Sequence, residues 1–146
     1  MAETSKDYLT IQAGKTAFRH IRENGLSPDD ITAVLGASGA AKWLGIYGLD
    51  KVIFSTWFKY RKAPLHLFGT SIGAWKFAAA AQNENDKAFD RLKNAYIQQV
   101  YDDKITSGKI ARETGRIMDH FLPKESVEQI LNHRFLKIAF SAVRCK

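Results

Sequence analysis

The residues best placed to do chemistry are Gly69-Thr70-Ser71-Ile72-Gly73, a serine with glycine two positions away on either side. An apolar run, LHLF at 65–68, precedes them, and the helix-favouring AWKFAAAAQ follows. Strand, Gly-x-Ser-x-Gly, then helix is the order that sets a serine hydroxyl on a sharp strand-to-helix turn. From there the hydroxyl can attack a carbonyl carbon, and the N–H groups opening the helix face the charge that develops. Gly69 and Gly73 are expected because a Cβ at either flank would collide with neighbouring chain. The plainer alternative is that Ser71 only caps the helix in an ordinary strand–helix loop.

A second turn of small residues, Gly36-Ala37-Ser38-Gly39-Ala40-Ala41-Lys42, lies upstream, with Ser38 at 71 − 38 = 33 residues before Ser71. It is not a P-loop, which needs glycine where Ala41 stands and serine or threonine where Trp43 stands. Gly36-x-Ser38-Gly39 also lacks the ordered glycines of a dinucleotide fingerprint. An oxyanion loop is the third reading. Backbone N–H groups among Ser38, Gly39, Ala40, Ala41 and Lys42 would then hold the anion formed when Ser71 attacks a carbonyl. Small residues let the backbone approach a substrate, and alanine suffices where φ is negative. Two alternatives stay open: a turn shaped for packing alone, or a non-catalytic α/β module that binds a phosphate or carboxylate at the 36–42 turn.

Other reactive side chains sit in weaker patterns. His66 falls inside the LHLF run and reads as a buried, hydrogen-bonded histidine before a catalytic one. Trp43, Trp57 and Trp75 read as core or groove residues, although Trp43 and Trp75 follow the two turns and could line an acyl pocket. A serine–acid–histidine order exists on paper as Ser71, then Asp102, Asp103 or Asp119, then His120 or His133. Asp119 and His120 are neighbours in a helical segment, about 100° apart, so they do not easily face one serine together. Cys145, the only cysteine, makes no intrachain disulfide and has no paired histidine. Four scattered histidines show no zinc-ligand spacing, and neither a metal nor another cofactor is expected.

These turns need elements to hold them. Residues 9–24 read as a helix with a loose stripe of Ala13, Ala17, Phe18 and Ile21, stopped by a left-handed Asn24-Gly25. Ser27-Pro28-Asp29-Asp30 supplies one capped turn. Residues 31–35, ITAVL, read as a buried strand, residues 42–58 as one apolar helix, and 65–68 as a second strand. Phe89, Leu92, Tyr96 and Val100 make one stripe on a helix over 86–101. Ile110, Thr114, Ile117 and Phe121 mark another helix, and Val127, Ile130 and Leu131 a short one after Pro123. FLKIAFSAV, 135–143, reads as a third strand. The order predicts an α/β fold with a parallel sheet and helices on its faces. Three parallel strands make a thin sheet, so residues 1–146 are expected to be the front portion of a single longer domain.

Composition bounds the function. One hundred and forty-six residues suit one core, and 45% hydrophobic with 25% charged residues is ordinary globular composition. The net charge of +7 is spread evenly: 10 − 7 = +3 over residues 1–85 and 12 − 8 = +4 over 86–146. That is a basic surface and not a nucleic-acid footprint. The densest cluster, Lys59, Arg61 and Lys62 around Tyr60, is the one feature that suits a transient membrane-surface contact. The longest stretch without Lys, Arg, Asp or Glu, residues 63–75, is too short to span a bilayer. With no apolar signal segment in MAETSKDYLT, a cytosolic protein is expected.

Together the two turns resemble those of the patatin-like phospholipase family. Its first motif, Gly-Gly-Gly-x-[Arg/Lys]-Gly, lies over residues 38–43: Gly39 and Lys42 match, while Ser38, Ala40 and Trp43 depart. Its second motif, Gly-x-Ser-x-Gly, matches in full, with Ser71 at the nucleophile's position. The resemblance spans most of 31–146 and implies a three-layer α/β hydrolase fold. It also implies a lipid acyl hydrolase that uses a Ser–Asp dyad and an acyl-enzyme, without a metal. The substrate implied is a lipid or other acyl ester. The family's aspartate belongs to a downstream Asp-Gly-[Gly/Ala] motif, and this sequence contains no Asp-Gly. The chain as given is therefore expected to be nearly inactive on its own.

Overall fold

The structure, a computed structural model, describes residues 10–100 and 105–144. The three apolar runs become β1 (Ala33–Gly36), β2 (Leu65–Gly69) and β3 (Leu136–Phe140). They form one parallel sheet in the order β1-β2-β3, with β2 in the middle. Val34, Leu67 and Ile138 lie side by side in register, as do Leu35, Phe68 and Ala139. The side chains of a strand alternate faces, so these two rows point opposite ways. Leu65, Leu67 and Leu136 are buried on the first face. On the second face Ala33, Leu35, His66, Phe68, Lys137 and Ala139 are all exposed, Leu35 to 77%.

Among the described residues, helices cover only the buried face. α3 (Ile72–Ala80) crosses all three strands and packs on α4 (Asn85–Ile97), which in turn packs on α5 (Ser107–Phe121). Ala79, Ala80, Ala81, Ala88 and Ala95 are fully buried, and their small side chains let α3, α4 and α5 approach closely. Phe58, Phe77, Phe89 and Phe121 fill the remaining core. The fold is thus α/β with two of the expected three layers; among the described residues no element covers the second face. That corrects the reading of 31–35 as a buried strand, because a strand in a parallel sheet is buried only where helices lie on both sides.

Several boundaries shift for identifiable reasons. α1 (Lys15–Asn24) is shorter than expected and buries no residue, with Phe18 half exposed. Gly25 ends it at φ 78° and ψ −177°, a positive-φ extended conformation and not the left-handed helical one. Ser27 caps a short turn at Pro28–Asp30 through a complete capping box. The helix expected over 42–58 is three pieces: a tight turn at Ala40–Ile46, α2 (Tyr47–Val52), and a wider turn at Ile53–Trp57. Gly45 and Gly48 weaken α-helical geometry there. α4 stops at Ile97, so Val100 leaves the stripe and is 83% exposed. In α6 (Lys124–Leu131) the buried residue is Ser126, whereas Val127 and Leu131 are exposed. Among the described residues no helix is long and apolar enough to cross a membrane.

Candidate functional site

β2 delivers the chain to its C-terminal end at Gly69, and α3 starts at Ile72, leaving Thr70 and Ser71 to reverse direction. So abrupt a turn forces Ser71 to φ 53° and ψ −126°, a conformation that non-glycine residues rarely adopt. A helix-capping serine has extended backbone and accepts a bond from the helix. Ser71 does neither: its side chain makes no cap hydrogen bond, and the residue is exposed. The capping alternative therefore fails. The flanking glycines are required for close approach. A Cβ on Gly73 would stand 2.0 Å from the Gly36 carbonyl oxygen, and one on Gly69 2.6 Å from the Ala74 backbone.

The Gly73 contact ties the two turns together. Gly36 closes β1 beside Gly69, and its carbonyl also accepts the Thr70 N–H at 3.0 Å. The 36–42 turn thus starts against the first turn of the helix that follows Ser71. Ser38, Ala40, Ala41 and Lys42 are exposed and Gly39 is half-buried. The Lys42 N–H donates to Gly39 O at 3.0 Å, which removes that amide from the candidate oxyanion donors. Among the described residues no backbone partner takes the N–H groups of Gly39, Ala40 or Ala41. Ala40 departs from expectation: its φ is 46°, so alanine here carries strain and is not at ease in a negative-φ turn.

An apolar cleft of about 430 Å³ runs along β3, from Leu136 at its start to Phe140 at its end, and Ser71 is not among its walls. Ala74 and Trp75 on α3, Phe121 and Leu122 at the end of α5, and Ile138 and Phe140 on β3 are among its walls. Trp75 stacks on Phe121 with ring centroids 5.9 Å apart, and Phe140 is the register partner of Gly69. A volume of this size suits a small apolar group. Trp75 lines the cleft as the sequence allowed, but Trp43 does not. It is 3% exposed, and its indole N–H donates to Asp50 at 2.9 Å. A larger cavity, about 750 Å³, lies around His133 and Phe135, at the start of β3, the sheet end opposite Ser71; its lining mixes amides with both signs of charge.

Among the described residues none of the remaining candidates hydrogen-bonds to Ser71. His133 lies before β3, about 16 Å from the Ser71 end at about 3.3 Å per strand residue. Its Nδ1 accepts the N–H groups of Phe135 at 3.3 Å and Leu136 at 2.9 Å. Burial, and then the nearby charges of Arg134 and Lys137, hold its pKa below the ordinary 6.5. His120 on α5 lines a pocket with Gln82 and Glu84, past the end of α3 opposite Ser71, Asp119 is exposed beside it, and Asp102, Asp103 and Cys145 lie outside the described residues. His66 is exposed on the open face, correcting its reading as a buried histidine. Arg61 is not part of a surface patch: it is 4% exposed and donates to Pro28 O, Ala63 O and Pro64 O. Lys59, Tyr60 and Lys62 remain exposed. Among the described residues no three His, Cys, Asp or Glu side chains gather as a metal cluster.

Sequence reasoning missed one cluster. Lys76 on α3 donates to Asp50 at 2.9 and 3.0 Å, and both are buried with Trp43. The signal was available: each is a charged residue inside an apolar run, IYGLDKVIF and IGAWKFAAAA. In comparisons with family models, curated proteins and solved structures, the chain has no significant match to any of them.

Proposed function

We propose that this chain carries the nucleophile and the oxyanion turn of a patatin-like serine acyl hydrolase acting on a lipid or other acyl ester. The observation that carries the reading is Ser71 itself: an exposed serine, strained at a strand-to-helix turn, with its hydroxyl free of any capping bond. Strain of this kind is kept where it aims a reactive group. Ser71 Oγ would attack the acyl carbonyl carbon and pass its proton to a base. The free amides of Gly39, Ala40 and Ala41 would hold the carbonyl oxygen as it gains charge. The alcohol then leaves with a proton, and water releases the acyl group from serine. The apolar cleft beside Trp75 and Phe140 suits the acyl portion. As base we infer a carboxylate from outside the motifs present here, since none of the described acids or histidines considered above hydrogen-bonds to Ser71.

Without that base, hydroxide must remove the proton. A fluorophosphonate probe followed by intact-mass and peptide mapping should label Ser71 slowly, at a rate rising about tenfold per pH unit. Ser71→Ala should abolish that label. Equal labelling of both proteins overturns the assignment. The free amides of the 36–42 turn also suit an anion. Thermal stabilisation by inorganic phosphate that survives Ser71→Ala and vanishes in Lys42→Ala would favour a phosphate- or carboxylate-binding module instead.

A further inference from the structure

The 36–42 turn is fastened to α3 at both ends. Its first residue, Gly36, has its carbonyl against Gly73, where a Cβ would have no room. Just past its last residue, the Trp43 indole N–H donates to Asp50 Oδ2 at 2.9 Å. Asp50 is in turn gripped by Lys76 Nζ at 2.9 and 3.0 Å. Trp43, Asp50 and Lys76 are 3%, 6% and 7% exposed, and Lys76 lies on the second turn of the helix that begins after Ser71. Between the two fastenings the turn is largely exposed, and it carries the strained Ala40.

A buried ion pair is a poor source of stability, because desolvating both charges offsets most of their attraction. Packing alone would be served as well by apolar residues of the same volume. What the pair adds is direction. A carboxylate oxygen held by lysine gives the indole N–H one fixed acceptor, and that fixes where the turn's exit lies relative to α3. We propose that Asp50 is a positioning residue: acting through Trp43, with Lys76 as its charge partner, it sets the Gly39–Ala41 amides in register with Ser71. The inference rests on reading those amides as the oxyanion donors.

Two variants test it. Asp50→Leu/Lys76→Met removes the pair while keeping volume, and Trp43→Phe removes only the indole donor. Backbone ¹⁵N relaxation should show the Gly39–Ala41 amides falling from rigid order parameters near about 0.85 to below about 0.6, with α3 unchanged. The melting temperature of at least Trp43→Phe should stay within a few degrees. Phosphonate labelling of Ser71 should slow by about tenfold in either variant. Folded variants whose turn keeps wild-type order overturn the proposal, leaving the pair a structural one. If the turn loosens but the wild-type protein never labels at Ser71, the positioning stands and the hydrolase reading falls.

Discussion

Ser71 and Ala40 are the two non-glycine residues at positive φ among those described, and they occupy the two facing turns. Each costs of order 1–3 kcal/mol relative to a relaxed backbone. Ser71→Gly should therefore raise stability by about 1 kcal/mol, after allowing for the extra freedom glycine gives the unfolded chain. Ser71→Ala should gain nothing, because alanine keeps the Cβ that makes the conformation costly. Urea unfolding of both variants checks this, and equal midpoints would remove strain from the account. The glycines at 69 and 73 were legible because spacing alone exposes them. Ala40 was not, since nothing about an alanine announces a positive φ. Arg61 was misread for a related reason: in a run of Lys59, Arg61 and Lys62, spacing does not say which cation turns inward.

The strands were readable from the sequence because short runs rich in apolar residues mark them, and each began and ended within a few residues of expectation. The 42–58 segment was not, because its apolar residues suit a helix while Gly45 and Gly48 undermine one. β3 illustrates a dependence no periodicity encodes. Its first N–H groups are held by His133 Nδ1, which accepts only while the ring is neutral. The folded pKa lies below the ordinary 6.5, so between those two values the unfolded chain binds the extra proton. The stabilising contribution is full above 6.5 and is lost as pH falls through the lower folded value. Urea midpoints measured from pH 7.5 downward should decline for wild type over that window. His133→Asn, whose amide oxygen accepts without titrating, should lack that part of the decline. Parallel curves would show that His133 plays no such part.

At the scale of the whole molecule, the sheet is asymmetric. One face is packed by α3, and the other shows Leu35 and Phe68 to solvent. The sequence predicted helices on both faces, and the run ITAVL reads the same whether its second face is covered or not. Energetics separate the cases. Leu67→Ala, in the packed face, should cost about 2–5 kcal/mol. Leu35→Ser and Phe68→Ser should each change stability by no more than about 0.5 kcal/mol, as exposed substitutions do. If Leu35→Ser proves as costly as Leu67→Ala by urea unfolding, that face is covered in solution.

The strand register also orders events in time. β2 pairs with β1 across the short three-piece segment that contains α2, from Ala33 to His66, but with β3 only across α3, α4, α5 and α6, from Leu65 to Leu136. Closing the longer loop costs more chain entropy, and non-local parallel pairings are the slow steps of folding. β3 is therefore expected to dock last. The glycine contact between the two turns uses only β1, β2 and α3, whereas the cleft needs Ile138 and Phe140 for a wall. The nascent protein thus acquires its strained serine before the apolar cleft along β3 has its second wall.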